Sequence, residues 1–240
     1  MNNIINDIIK KESYDFSDLV TVMQILRSEN GCPWDREQSH KSIRNDFLEE
    51  AYEAIEGIDK GDDKILCEEL GDVLLQVVFH AKIAEEEGSF DINDVSDGIC
   101  KKLILRHPHI FADVKADTSE QVLKNWDEIK RKEKDQKTDA DALKAISSAL
   151  PALIRAKKIQ SKKEKYGCEK TTKQAVSKTI RELALKLSDE LERGDKTPSS
   201  QSFGDLLFAV ADAARICDIN PEQALFDKND NVVNEFVNRT

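Results

Sequence analysis

Two acidic stretches on either side of a short polar turn constrain the fold of this chain more than any other feature. The first covers residues 47–53, the second covers 68–75, and the turn lies at 59–63. At about 100° per residue, the apolar residues of the first stretch and its continuation share one helical sector. The sector is formed by Phe47, Ala51, Ala54, Ile55 and Ile58. The pattern therefore predicts an antiparallel helical hairpin with this sector buried.

The acidic residues lie beside the apolar faces of both predicted helices. Glu50 and Glu53 are one turn apart at the edge of the first sector, and Glu69 and Asp72 repeat that spacing. The run 73–79 that follows is apolar almost all round, which predicts burial on every side. Crowded, partly buried carboxylates repel one another and lose hydration, and a bound cation relieves both costs. Ligation by carboxylate oxygen selects Mg2+ or Mn2+.

The alternative for each acidic cluster is a solvated surface without a ligand. Two clusters that flank one short turn, each beside an apolar stripe, favour the metal site.

Composition predicts an all-α protein that is soluble and binds no nucleic-acid polymer. Only nine glycines and five prolines occur in 240 residues, and the net charge of −11 opposes phosphate-backbone binding. A nucleotide is still allowed, because a metal ion screens its charge. Five distant cysteines without a C-x-x-C motif indicate reduced thiols. No signal peptide or membrane-spanning stretch is evident, so we expect a cytoplasmic protein.

The periodicity divides the chain into two helical parts joined by a charged linker. We predict a first domain at 1–134, a linker at 135–141 and a second domain at 142–240. In the first domain, we expect a helix at 16–27, a loop at 32–38, the hairpin, and a helix from Asn93 or Asp94. A capping box at 118–121 opens the next helix. Later helices are predicted at 143–165 with a break at Pro151, and at 172–193, 203–217 and 221–238.

The second part repeats the first without its acidic set. The segment 204–210 resembles 71–77, and 181–185 occupies the place of 49–53. Only Glu182 and Asp205 keep the acidic pattern, since Arg181, Leu185 and Ser202 replace the other acids. The repeated scaffold thus persists without the acids, which indicates that they form a separable site.

Three further groups of residues each allow a functional and a structural interpretation. Lys102 and Arg106 are one helical turn apart, which suits a phosphate chain or ordinary surface charge. In the second part, Asn231 and Glu235 replace this pair. Trp34 in a polar loop either covers a nucleobase or closes the end of the bundle. A metal role for the pair His107 and His109 is disfavoured, because no third imidazole or thiol lies nearby in sequence.

The pattern Glu49-Glu50-x-x-Glu53 followed by Glu69-x-x-Asp72 resembles the metal-binding signature of the MazG nucleoside triphosphate pyrophosphohydrolases. Segments 30–35, 106–113, 150–153 and 156–160 agree, and the resemblance covers nearly the whole chain. It implies an all-α NTP pyrophosphatase bundle with two tandem repeats, a homodimer, and Mg2+-dependent hydrolysis of nucleoside triphosphates to monophosphate and pyrophosphate. The second repeat is then degenerate and structural.

Within that resemblance, we assign the metal to Glu50, Glu53, Glu69 and Asp72. Glu49 is an additional ligand or orients the attacking water, and Lys102 and Arg106 hold the β- and γ-phosphates. A di-iron protein is disfavoured, because no His follows Glu50 or Glu69 at i+3. A hydrolase of narrower, dUTP-like preference and a lapsed interaction module stay open as alternatives. The residues also leave the preferred base and sugar open.

Overall fold

The computed structural model describes residues 2–133, 138–167, 171–192 and 200–239, and all regular structure within them is helical. The described residues form thirteen helices, which confirms the predicted all-α class. Their bounds are α1 Asn2–Ile9, α2 Phe16–Leu26, α3 Pro33–Glu37, α4 Arg44–Lys60, α5 Asp63–Glu86, α6 Ile92–Arg106, α7 Pro108–Phe111, α8 Ser119–Glu133, α9 Asp139–Lys144, α10 Ala152–Lys165, α11 Lys173–Glu192, α12 Ser200–Ile216 and α13 Pro221–Val237.

The chain forms two compact units, Met1–Val122 and Leu123–Thr240. The division falls near the start of α8, upstream of the linker predicted at 135–141. Residues 134–137 lie outside the described residues. A linker between the two repeats therefore stays a prediction.

The core of the first unit lies where α2 packs against α5. Met23, Ile43, Val78, Phe79 and Ile83 are almost completely buried there. Burial of a side chain of this size contributes about 1.5–3 kcal/mol to the free energy of unfolding. This cluster fixes the C-terminal half of α5, and it thereby orients the N-terminal half that carries acidic residues.

A tight turn sets the geometry of α4 and α5. Gly61 ends α4 at φ 63°, in the left-handed region that favours glycine. The Asp62 side chain then caps α5 and accepts hydrogen bonds from the backbone N–H groups of Lys64 and Ile65. The two helices consequently run antiparallel, as the sequence predicts.

The same two helices approach each other closely at Gly57. A Cβ atom on this buried glycine would lie 2.8 Å from the backbone N and 3.0 Å from the Cα of Leu66. Ala54 is also buried, one turn earlier on α4. Small residues thus allow the backbones of α4 and α5 to meet.

Several of the larger apolar residues predicted to be buried on α4 and α5 are partly exposed in the single chain, whereas Val78 and Phe79 at the end of the apolar run are buried. On α4, Ile55 is 42% exposed and Ile58 is 59% exposed, while Leu74 on α5 is 40% exposed. Within the first unit α4 packs mainly against α5, and the small residues occupy that contact. The larger side chains flank it and remain uncovered. On α6, the apolar side chains of Val95, Ile99 and Leu103 are partly exposed as well.

Two local predictions need correction. Residues 33–37 form the short helix α3 where a loop is expected, because Pro33 occupies its first turn with a suitable φ. Thr118 accepts a hydrogen bond from the N–H of Gln121, but the Gln121 side chain accepts from the N–H of Asp117 instead of closing the predicted capping box.

The second unit also contains a hairpin of two long helices, α11 and α12, and α10 packs against α12. Buried Ser202 donates a 2.8 Å hydrogen bond to Glu190, which joins the two helices near their connection. Gln160 on α10 donates to the carbonyl of Phe208 at 2.6 Å. None of the described helices is both long and apolar enough to cross a membrane.

Candidate active site

The hairpin brings together three of the predicted metal ligands. Glu50 on α4 and Glu69 and Asp72 on α5 each offer one carboxylate oxygen, and these three atoms lie within 4.8 Å of one another. We call these residues the three-carboxylate group. It is the only group of this kind among the described histidines, cysteines and acidic residues.

The position of the group follows from the turn and the close approach. Gly57 lies against Leu66 near the turn, so positions further from the turn on α4 pair with later positions on α5. Glu50 is two turns before Gly57, and Asp72 is almost two turns after Leu66. The antiparallel register therefore places Glu50 opposite Asp72.

The electrostatics of the group are those of uncompensated negative charge. Burial raises the pKa of Glu50, and the charges of Asp72 and Glu53 raise it further. Burial is also the largest cause that raises the pKa of Glu69, and the charge of Glu53 is the next largest. Each shift means that the protein environment disfavours the ionised carboxylate. A cation would relieve the repulsion that causes part of these shifts.

Glu53 and Glu49 lie at the margin of the group. Glu53 is exposed, and its charge contributes to the raised pKa of Glu69. Glu49 is exposed and acts on Glu50 through its charge. The structure thus brings Glu53 next to the three-carboxylate group and leaves Glu49 at its solvent edge.

The donor set fits a hard divalent cation. Oxygen ligands on opposite sides of an octahedral Mg2+ are about 4.2 Å apart, because each Mg–O bond is about 2.1 Å long. The oxygen atoms of the three-carboxylate group therefore need only a small side-chain adjustment to share one ion. Their half-buried position also leaves room for water and for phosphate oxygens.

The other predicted site residues lie outside the three-carboxylate group. Lys102 is exposed on α6, and Arg106 at the end of α6 is buried to 7% exposure. Trp34 on α3 is 58% exposed. Trp34 therefore lies at the surface, and both nucleobase contact and closure of a bundle end stay predictions for this residue.

Sequence reasoning missed a histidine pair beside the hairpin. The Nδ1 atoms of His40 and His80 are 2.8 Å apart and share a hydrogen bond, and Phe47 contacts His80 edge-on. Together with Arg44 they line a cavity of about 420 Å3. Burial lowers the pKa of His80, so this imidazole favours its neutral form. The two histidines are forty residues apart in sequence, and no local pattern connects them.

Gln76 was also missed, although helical spacing offered a signal. It lies one turn after Asp72 and is 6% exposed, and its Oε1 has no hydrogen-bond partner among the described residues. A buried amide on the same helix as two metal-ligand candidates is unusual in an apolar run. The apolar pattern of residues 73–79 predicts only core, and Gln76 lies within that run.

The equivalent hairpin in the second unit has no such group among its described residues. Ser202 replaces Glu69. Its side chain is buried and donates a hydrogen bond to Glu190. Leu185 replaces Glu53 and is exposed, and Glu182 lies near Lys178 at 3.8 Å. The acidic cluster is therefore replaced by a hydrogen bond between a serine and a glutamate and by one ion pair on the surface.

The raised pKa of Glu50 predicts a pH-dependent effect of Glu50→Gln in metal-free protein. When folding raises the pKa of a carboxyl group, ionisation of that group destabilises the fold. The loss of stability begins as the pH rises above the ordinary pKa, about 4.5, and is complete above the raised pKa. The variant should therefore melt at a higher temperature than wild type at pH 7 in EDTA, and the difference should shrink near pH 4. Calorimetry at both pH values measures it. A constant difference would contradict an electrostatic origin.

Comparison with known proteins assigns the family. A MazG nucleotide pyrophosphohydrolase domain matches residues 38–111, which include the three-carboxylate group. The chain is 41% identical to a Thermotoga maritima protein named nucleoside triphosphate pyrophosphohydrolase/pyrophosphatase MazG, over 90% of this chain and 82% of the relative. An Escherichia coli nucleoside triphosphate pyrophosphohydrolase is 42% identical over 91% of this chain and 84% of the relative. The similarity to the two relatives extends over both units, and the chain therefore belongs to the MazG nucleotide pyrophosphohydrolase family.

Proposed function

We propose that this enzyme hydrolyses nucleoside triphosphates, with ribose or deoxyribose, to nucleoside monophosphate and pyrophosphate. Water attacks the α-phosphorus, a new P–O bond forms, and the bond from that phosphorus to the α,β-bridging oxygen breaks. The observation that carries the proposal is the three-carboxylate group on the α4–α5 hairpin. The names of the two relatives support the same reaction class.

Glu50, Glu69 and Asp72 would hold Mg2+, with Glu53 as a fourth ligand, and Mn2+ fits the same oxygen donors. When bound, the ion neutralises phosphate charge and acidifies a coordinated water.

The remaining residues act on the water and on the leaving group. Glu49, exposed at the edge of the group, orients the attacking water and accepts its proton. Lys102 and Arg106 neutralise the β- and γ-phosphates and stabilise departing pyrophosphate. Trp34 offers an aromatic face to the base.

The products of hydrolysis test this proposal directly. The enzyme should release pyrophosphate and monophosphate from each of several NTPs and dNTPs in the presence of Mg2+, and EDTA should abolish release. Chromatography of the nucleotide products separates the outcomes. Diphosphate with orthophosphate would place the attack at the γ-phosphorus and contradict the proposal.

We infer that the active protein is a homodimer. The exposed apolar residues on α4, α5 and α6 recur at helical spacing, as in Leu48, Tyr52 and Ile55, and such faces mark interaction surfaces. Light scattering at micromolar concentration should give a mass twice that of the 27.1 kDa chain. Tyr52→Glu should shift the protein towards the monomer, while the same change at exposed Lys101 on α6 should not. A monomeric wild type would contradict the inference.

We further propose that residues 142–240 form a structural repeat after a linker at 135–141, and that the enzyme acts in the cytoplasm. The hydrogen bond from Ser202 to Glu190, at the place of a clustered acid in the first repeat, supports the first statement. The described cysteines Cys32, Cys67, Cys100 and Cys217 are all free thiols, which supports the second.

A further inference from the structure

We propose that the second unit binds a nucleotide in a cavity lined by lysines. The cavity has a volume of about 660 Å3, and Lys130, Lys157, Lys158 and Lys162 line it. We call it the lysine cavity. Binding there requires none of the residues of the three-carboxylate group.

Three of the four lysines of the cavity lie on one face of α10, and Lys130 comes from α8. Ile154, Lys157, Lys158, Ser161 and Lys162 follow the spacing i, i+3, i+4, i+7, i+8, which is the spacing of a stripe that faces a neighbouring element. In a helix that only packs against a core, these positions are apolar. Here three of the five are cationic and face an open volume.

The charge of the cavity is opposite to that of the protein. The chain has a net charge of −11, yet the described residues that line the cavity include four lysines and no acid. Concave walls with one sign of charge concentrate ligands of the opposite sign. The cavity is therefore suited to an anion with more than one negative charge.

Three of the four ammonium groups are held in place. Lys157 donates to the carbonyl of Ile219 at 3.0 Å, and Lys162 donates to the carbonyl of Ala142 at 2.8 Å. Lys130 lies over the ring of Trp126, with its Nζ 5.4 Å from the ring centroid. A carbonyl or an aromatic face positions an ammonium group. These lysines are thus preorganised, which lowers the entropic cost of binding an anion.

The other residues that line the cavity indicate what the ligand carries besides its negative charge. Ile146, Leu150 and Ile154 supply apolar surface, and Ser147 and Asn220 add polar groups. Inorganic phosphate would leave this apolar surface exposed to water. A phosphate ester with a flat ring covers it, and pockets of about 300–1,000 Å3 accommodate ligands of that size. A nucleotide has both parts.

Calorimetric titration of the full-length protein in EDTA tests the proposal, with ADP, pyrophosphate and adenosine as probes. ADP should bind with one site per chain, pyrophosphate should bind at least about tenfold more weakly, and adenosine should not bind. Lys158→Gln should weaken ADP about tenfold, the effect of one lost charge-assisted hydrogen bond. Lys158 is exposed, so the variant should fold normally, as circular dichroism would verify.

Lys163→Gln is the matched control, because Lys163 is exposed on the same helix and does not line the cavity. ADP affinity should stay within about twofold of wild type for this variant. Equal losses for Lys158→Gln and Lys163→Gln would show diffuse charge attraction and overturn the proposal. Absence of ADP binding, or equal binding of pyrophosphate and ADP, would overturn it as well.

Discussion

Glu50→Gln should lower kcat by about a thousandfold or more, which corresponds to about 4 kcal/mol of lost transition-state stabilisation. Glu50 contributes one of the three clustered oxygen atoms, and an amide oxygen lacks the charge that holds a divalent cation. The substitution retains the volume of the side chain and relieves repulsion from Asp72 and Glu53. Steady-state release of pyrophosphate, measured at saturating Mg2+, gives the effect.

Glu182→Gln is the control, because Glu182 occupies the place of Glu50 in the second repeat. Its kcat should stay within about twofold of wild type. Glu182 lies on the surface near Lys178, and no partner carboxylates surround it among the described residues. Asp72→Asn should behave like Glu50→Gln, and Asp205→Asn like Glu182→Gln. The reverse ranking would move the active site to the second repeat.

Gly57→Ala should destabilise the first unit by about 1–3 kcal/mol and also reduce activity. The new methyl group would meet backbone atoms of Leu66 at 2.8 Å and 3.0 Å, and backbone cannot move aside as a flexible side chain does. The two helices must separate, which also moves Glu50 away from Asp72. Urea unfolding measures the first effect, and Mg2+-dependent turnover measures the second.

Gly71→Ala isolates the steric cause. Gly71 lies on α5 with nothing within 4 Å of an added Cβ. Alanine should therefore stabilise the helix by about 0.5–1 kcal/mol through its lower backbone entropy. If Gly57→Ala also leaves stability unchanged or increases it, the close approach of α4 and α5 does not restrict this position.

The sequence was sufficient to predict the long helices and the clustering of acidic residues at the hairpin, because both depend on local periodicity. The hairpin of α4 and α5 is encoded by apolar spacing, by Gly61 and by the cap at Asp62. The i, i+3 spacing of Glu69 and Asp72 places both on one side of α5, and the structure brings Glu50 to them. Glu53 lies beside this group rather than within it.

Other features depend on contacts that one sequence does not encode locally. The pairing of His40 with His80 joins two distant positions across the first unit. Ile58 and Leu74 are exposed in the single chain, and periodicity identifies such an apolar face without identifying what covers it. The lysine cavity likewise required the fold, since Lys130 and Lys157 come from different helices.

The short path along the chain from Glu50 to Asp72 has a consequence for the order of folding. Loop closure over so few residues has a small entropic cost, so contacts between α4 and α5 can form early. The first unit also leaves the ribosome before the second is complete, and domains generally fold as units in that order. A cation that binds the nascent hairpin would stabilise it by mass action. Metal availability during synthesis would then influence how quickly the N-terminal half reaches its native state.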